Sequence, residues 1–150
     1  MHKMLRKLGR KKARGQAVVE TALMMVFFLV FMLALIDLGR AFFVMVAVQN
    51  AAGEGSLFGM ANPTCVNAGS GTGCADPNNI EYRVRNESNN RLLDPSLFQI
   101  TVRLDSLNPG HPGTMIEVEV VYPYKPIMPM LSAFGASEIA IRRTAIQLIP

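Results

Sequence analysis

Gly15, Gln16 and Glu20 are spaced so that breaking one peptide bond would create a partner for a buried charge. If the chain is cut after Gly15, Gln16 gains a free α-amine and Glu20 lies four residues after it. Residues i and i+4 share a helix face. A carboxylate in an apolar phase costs several kcal/mol unless it is paired. The α-ammonium that pairs with Glu20 would come from the same chain or from a neighbouring helix in staggered register.

The residues before this motif form a strongly basic tail. It holds seven of the chain's 15 basic residues and no acidic residue. The rest of the chain has eight basic and 11 acidic residues, so the high overall pI belongs to the tail. The basic residues of the tail are Lys3, Arg6, Lys7, Arg10, Lys11, Lys12 and Arg14.

An uncharged apolar run, residues 22–36, follows the motif, and extending it back to Ala17 gives 20 residues in which Glu20 is the only charge. A bilayer core of ~30 Å needs about 20 helical residues, so the run is long enough to span it. The preceding basic tail then places the N-terminus in the cytoplasm and the residues beyond about 40 outside. We therefore assign the tail to membrane topology and expect no nucleic-acid partner, since no recognition motif accompanies it.

A cleavable secretory signal peptide is the first alternative, because it too combines a basic region with an apolar region. The apolar run here is longer than usual, and it continues as a second helical stretch without a clear small-residue cleavage site. We predict one long helix from Ala17 to about Phe58, ended by Pro63. Asp37 and Arg40 lie three residues apart and are predicted to neutralise each other at the outer membrane edge.

The two cysteines, Cys65 and Cys74, lie in a Gly- and Asn-rich loop, residues 62–79. Outside the cytoplasm a disulfide that closes this loop is the favoured state. Two reduced thiols remain an alternative in a reducing compartment. A metal site is disfavoured, because the cysteines do not form a CxxC pair and His111 lies in a distant loop.

The remainder predicts an α+β fold: a second, shorter helix and then an antiparallel sheet of about three strands. Asp76 and Pro77 are predicted to begin the second helix, with Ile80, Val84 and Leu92 or Leu93 facing inward. Period-2 alternation marks strands at residues 98–105, 115–124 and 138–149. Arg142 and Arg143 are predicted to be exposed.

The sequence contains no pattern typical of an enzyme or a cofactor site. It has no GxSxG, no HExxH and no Gly-rich phosphate loop. We assign His111 to a solvated turn, and Glu117 and Glu119 to a solvated strand face. The predictions are therefore no enzyme, no cofactor and no metal.

The order of basic tail, Gly15, Glu20 and apolar helix resembles the class III signal of type IV pilins and pseudopilins. More specifically, residues 14–60 are similar to the TadE-like domain of tight-adherence (Tad/Flp) pilus systems. The motifs that carry this resemblance are Gly15, Glu20, Asp37-Leu38-Gly39-Arg40, Asn50-Ala51-Ala52 and Gly53-Glu54-Gly55.

The resemblance implies a pilin-like minor pilin or pseudopilin that a membrane prepilin peptidase cuts between Gly15 and Gln16 on the cytoplasmic side. Its implied partners are the lipid bilayer, that peptidase, other pilins or copies of itself, and the pilus assembly platform. The implied site is the inner membrane, with a periplasmic or extracellular head. The expected division is a leader at 1–15, a membrane-spanning and stalk helix at 16–60 and a head at 61–150.

Two other interpretations remain open. The first is an uncut single-pass membrane protein, with Glu20 at the cytoplasmic interface and a head that binds cell-envelope partners. The second, less favoured, is a membrane-tethered enzyme without a recognisable motif.

Overall fold

The computed structural model describes residues 2–87, 93–105, 109–127, 135 and 137–150, with the backbone alone in residues 2–14. The chain forms two compact units, Met1–Leu38 and Gly39–Pro150, called below the N-terminal and C-terminal units. The predicted α+β class, with a long helix, a short helix and a three-stranded antiparallel sheet, is confirmed. The elements are α1 (His2–Ala61), α2 (Ile80–Glu87), a 3-10 turn (Pro95–Leu97), β1 (Gln99–Leu104), β2 (Met115–Tyr124) and β3 (Ile139–Leu148).

Helix α1 begins before the predicted Ala17 and ends three residues after the predicted Phe58. It contains no proline, and its end at Ala61 agrees with the effect of Pro63 on the preceding residue. Within the N-terminal unit, the described side chains from Gly15 to Ile36 are all exposed. Among the described residues, this is the one helix long and apolar enough to cross a membrane.

A stripe of small side chains marks the buried face of α1 in the C-terminal unit. These residues recur every three or four positions, which keeps them on one helix face. The valines and alanines among them share one core with the inner face of the sheet and with α2. The stripe consists of Val44, Val48, Ala51, Ala52, Gly55, Ser56 and Gly59.

The sheet has the order β1-β2-β3, and both pairs are antiparallel. The predicted alternation holds best in the central strand, where the inward-facing residues Ile116, Val118, Val120 and Tyr122 are all buried. Arg142 is exposed as predicted, whereas Arg143 is only half-exposed. The inner face of the sheet therefore forms the second layer of the core.

The predicted start of α2 at Asp76 and Pro77 is wrong, because the helix begins at Ile80. Asn79 caps it: its Oδ1 accepts a hydrogen bond from the Tyr82 N–H at 2.8 Å. Asp76 instead accepts a hydrogen bond from Asn79 Nδ2 at 2.7 Å, so it orients the capping residue.

The predicted inward residues Ile80 and Val84 are fully buried. Leu93 is also buried, but it lies beyond the helix, and Leu92 falls outside the described residues. Asp94 caps the 3-10 turn that follows, and its hydrogen bonds from Ser96 lower the pKa of its carboxyl group.

Candidate processing and assembly segment

Gly15 and Gln16 lie on the exposed surface of α1. A Cβ atom added at Gly15 would have no atom within 4 Å outside its own helix backbone. The described structure therefore leaves both sides of the predicted scissile bond open to a second protein.

Glu20 lies four residues after Gln16 on the same face of α1, and its side chain is exposed. None of the ion pairs among the described side chains involves Glu20. A carboxylate at this position in a bilayer needs a cationic partner or access to water. The geometry is thus compatible with a partner supplied by a new N-terminus.

Thr21, next to Glu20, shows how a polar side chain in this segment satisfies itself locally. Its hydroxyl donates a hydrogen bond to the carbonyl oxygen of Ala17 at 2.9 Å. This i to i−4 bond lets a threonine sit in an apolar helix without an outside partner. A carboxylate has no proton to donate in its charged form, so Glu20 cannot use the same solution.

Asp37 and Arg40 mark the end of the apolar run. Asp37 is buried, with 6% of its surface exposed, whereas the neighbouring Ile36 and Leu38 are more than half exposed. In the C-terminal unit, the Arg40 guanidinium lies over the ring of Tyr124, with Cζ 5.6 Å from the ring centroid. Such a cation–π contact contributes about 0.5–1 kcal/mol at an exposed site. Neutralisation of Asp37 by Arg40 stays a prediction.

Cys65 and Cys74 are joined by a disulfide, with their Cα atoms 5.1 Å apart. The loop that this disulfide closes also forms hydrogen bonds to α2. The carbonyl oxygens of Cys65 and Val66 accept hydrogen bonds from the Ile80 and Glu81 N–H groups at 2.9 and 3.0 Å. Those N–H groups belong to the first turn of α2, where an isolated helix leaves its donors unsatisfied.

Glu119 is the main charged residue whose environment the sequence prediction missed. The prediction placed it on a solvated face, but only 7% of its side chain is exposed. Arg103 Nη2 and Arg142 Nη1 bind its two carboxylate oxygens at 3.1 and 2.6 Å. The two arginines come from β1 and β3 and cover the carboxylate between them. Only the register of all three strands places these side chains together.

Other candidate groups show no catalytic arrangement within the described ranges. Those residues contain no cluster of three or more His, Cys, Asp or Glu side chains that could hold a metal ion. His111 is exposed in a turn. Glu117 forms an ion pair with Arg103 at 3.2 Å on the sheet surface.

A comparison with protein families confirms the predicted resemblance of the N-terminal segment to the TadE-like family. Residues 15–57 match the family model described as TadE-like protein. The match begins at Gly15 and includes Glu20, Asp37, Arg40 and all of the buried stripe except Gly59. No curated protein and no solved structure matches the chain.

Proposed function

Because residues 15–57 are TadE-like, we propose that the protein is a minor pilin or pseudopilin that acts in the assembly of a Tad/Flp-type pilus or a related secretion filament. The TadE-like match, together with the one helix in the described part of the chain that is long and apolar enough to cross a membrane, supports a single-pass membrane protein involved in Tad pilus assembly. The main support for the subunit role is the combination of an accessible Gly15–Gln16 bond with Glu20, one helical turn beyond it.

The basic tail determines the proposed orientation. Seven positive charges directly before the span retain the N-terminus in the cytoplasm and put the C-terminal unit on the other side. The disulfide between Cys65 and Cys74 agrees with an oxidising compartment for that unit. In this orientation the Gly15–Gln16 bond lies on the cytoplasmic side, where prepilin peptidase would cut it.

After cleavage, Glu20 acquires its partner. The new α-ammonium of Gln16, in the same chain or in an adjacent subunit, neutralises the carboxylate. An adjacent subunit is the more specific partner, because pairing then sets the axial register between two helices. The exposed apolar side chains of residues 22–36 pack between subunits in the same assembly.

Cleavage is tested by N-terminal sequencing of the protein from cells with and without prepilin peptidase. We expect the mature chain to begin at Gln16 only when the peptidase is present. Gly15→Leu is expected to abolish processing, because the leucine side chain would block the approach of the peptidase to the Gly15–Gln16 bond. Gly9→Leu, in the same tail, is the matched control and should be processed normally. A chain that begins at Met1 in both cells would exclude processing and favour the uncut single-pass alternative.

Assembly is tested with Glu20→Ala. We expect normal cleavage but loss of the subunit from sheared filaments, measured by immunoblot of filament and membrane fractions. Glu20→Gln should fail similarly, since it keeps the shape but lacks the charge that pairs with an ammonium. Glu54→Ala, on the same helix but beyond the span, is the control and should assemble. Normal incorporation of Glu20→Ala would remove the ion pair from the assembly mechanism.

A further inference from the structure

The sheet has one end close to the point where α1 enters the C-terminal unit. Arg40 lies over Tyr124, the last residue of β2. Tyr124 in turn is the register partner of Ile139, the first residue of β3. The Tyr124–Ile139 end of the sheet is therefore level with residue 40 of the helix.

Two more contacts establish the direction of the helix along the sheet. A Cβ atom at Gly55 would lie 3.3 Å from Cγ1 of Val118, and one at Gly59 would collide with Cδ1 of Ile116. Moving along α1 from residue 40 to 59 thus moves backwards along β2 from Tyr124 to Ile116. The helix rises about 28 Å over this distance and the strand about 27 Å. The two elements are antiparallel over nearly their whole shared length.

The membrane-spanning run ends a few residues before Arg40. Its last residue, Ile36, precedes Arg40 by four positions, which is at most about 14 Å of extended chain. With residues 22–36 in the bilayer, this short link holds residue 40, and with it the Tyr124–Ile139 end of the sheet, close to the end of the apolar run. The Met115–Leu148 end lies about 30 Å from the Tyr124–Ile139 end along β3.

The described surface at this end has the chemistry of a membrane interface. Lys125 is exposed, and Ile127 and Ile139 expose 60% and 43% of their surfaces. Apolar side chains beside a lysine favour the boundary between headgroups and acyl chains, with the ammonium on lipid phosphate.

We propose that Lys125, Ile127 and Ile139 form a membrane-proximal surface that contacts the outer face of the bilayer. Ile127 and Ile139 enter the headgroup–acyl boundary, and Lys125 binds lipid phosphate. This second contact restricts tilting of the C-terminal unit on its helix before assembly. The inference rests on the proposed insertion of α1.

Lipid is the favoured occupant over a second copy of the chain. The short link between Arg40 and the span brings this surface to the bilayer without any partner. Two isoleucines bury far less than the ~800 Å² per partner that a standard protein interface needs.

The test compares fluorescent labels on single introduced thiols in the full chain. The native cysteines are paired, so Ile127→Cys, Ile139→Cys and Leu148→Cys each offer one reactive thiol. Leu148 is the matched control, because it is an exposed aliphatic residue at the opposite end of β3 from Ile139. Phe28→Cys reports insertion of α1. The proteins are reconstituted in phosphatidylcholine vesicles with and without phosphatidylglycerol, and quenched by nitroxide lipids or by aqueous iodide.

We expect labels at 127 and 139 to be quenched several-fold more by nitroxide lipid than the label at 148, and less by iodide. Lys125→Glu should reduce the lipid quenching at 127, most in the anionic vesicles. Strong iodide and weak lipid quenching at 127 and 139, with Phe28 quenched by lipid, would overturn this inference alone. Protection of 127 and 139 from both quenchers would identify a protein contact instead and overturn it as well. Absence of lipid quenching at Phe28 would overturn the membrane insertion on which both proposals rest.

Discussion

Replacing Gly55 with alanine is expected to lower the free energy of unfolding of the C-terminal unit by about 1–2 kcal/mol. The new Cβ would collide with Cγ2 of Val84 and lie 3.3 Å from Cγ1 of Val118. Val84 is fully buried in α2, and β-branched side chains in helices have one strongly preferred rotamer. The neighbour therefore cannot rotate away, and α1 must separate from α2 and β2.

Gly53→Ala is the matched control on the same helix, two residues earlier. A Cβ there has no atom within 4 Å outside the helix backbone. The substitution removes the entropic cost of a mid-helix glycine and should stabilise the unit by about 0.5–1 kcal/mol. Gly59→Ala should fall between the two, because it meets the flexible δ-methyl groups of Ile116 and Ile80.

The measurement is urea unfolding of the detergent-solubilised full chain, followed by the near-ultraviolet circular dichroism of tyrosine. The chain has three tyrosines and no tryptophan, and Tyr82, Tyr122 and Tyr124 all belong to the C-terminal unit. The signal therefore reports the unit and is insensitive to helix retained in the micelle. If Gly55→Ala and Gly53→Ala change stability equally and in the same direction, close helix approach is not the reason for glycine at position 55.

Gly55 and Gly59 have a structural role that their local sequence does not reveal. Glycine has low helix propensity, yet α1 continues through Gly53, Gly55 and Gly59 to Ala61, three residues beyond the predicted end. Gly55 and Gly59 allow α2 and β2 to approach closely, and that packing offsets the low propensity. Propensity is a local property, whereas close approach depends on which distant residue arrives opposite.

The strands were predictable because their alternation is itself the physical cause of the sheet's two faces. Glu119 obeys the alternation and points away from the helix side, yet it is buried by Arg103 and Arg142. Its burial depends on a register of three strands that are separated in sequence. The sequence specifies each strand but not which long side chains will reach across to its neighbour.

The proposed processing segment, residues 15–20, differs, because the chemistry proposed for it depends on the spacing of its residues along one helix. Gly15, Gln16 and Glu20 lie within six consecutive residues, so a helix of any origin places them on one surface. The structure places all three on the exposed surface of α1, which begins before the predicted start at Ala17. The partner that we propose for Glu20 is the α-ammonium of Gln16, which would form only on cleavage and is therefore not part of the uncut chain.

The start of α2 was missed for a related reason. Asp76 followed by Pro77 has the composition of a helix start, but Asn79 has the cap. The carbonyl oxygens of Cys65 and Val66, in the disulfide-closed loop, accept hydrogen bonds from the first turn of α2 and so contribute to where it begins. The loop and the helix that follows it thus form one structural element.

Loss of the disulfide is expected to lower the free energy of unfolding of the C-terminal unit more than Gly55→Ala does. In the chain-entropy account, opening a loop of this length costs roughly 2.7 kcal/mol. The double variant Cys65→Ser/Cys74→Ser removes the bond without leaving a free thiol. It also frees the carbonyl oxygens that satisfy the Ile80 and Glu81 N–H groups.

Amide hydrogen exchange distinguishes a disulfide that also stabilises α2 from one that stabilises only the surface loop. If the loop caps α2, the double variant should lose protection at Ile80, Glu81 and Val84 as well as within residues 65–74. If the disulfide stabilises only the surface loop, the double variant should lose protection in residues 65–74 alone. The measurement uses the full chain in detergent, with reduced wild-type protein as a second route to the same state.

Asn79→Ala provides the control that leaves the disulfide intact. It removes the cap on the Tyr82 N–H and the hydrogen bond to the Cys74 carbonyl oxygen. We expect a cost of about 1 kcal/mol, with exchange increased in α2 but not across the loop. Alkylation that finds two free thiols in the exported protein, or equal α2 protection with and without the bond, would contradict the prediction.

Because Ile80 and Val84 lie under Gly59 and Gly55, a loosened α2 would also weaken the contact that these glycines permit. The disulfide and Gly55 should accordingly be energetically coupled, and Gly55→Ala should cost less in the double serine variant than in the oxidised protein.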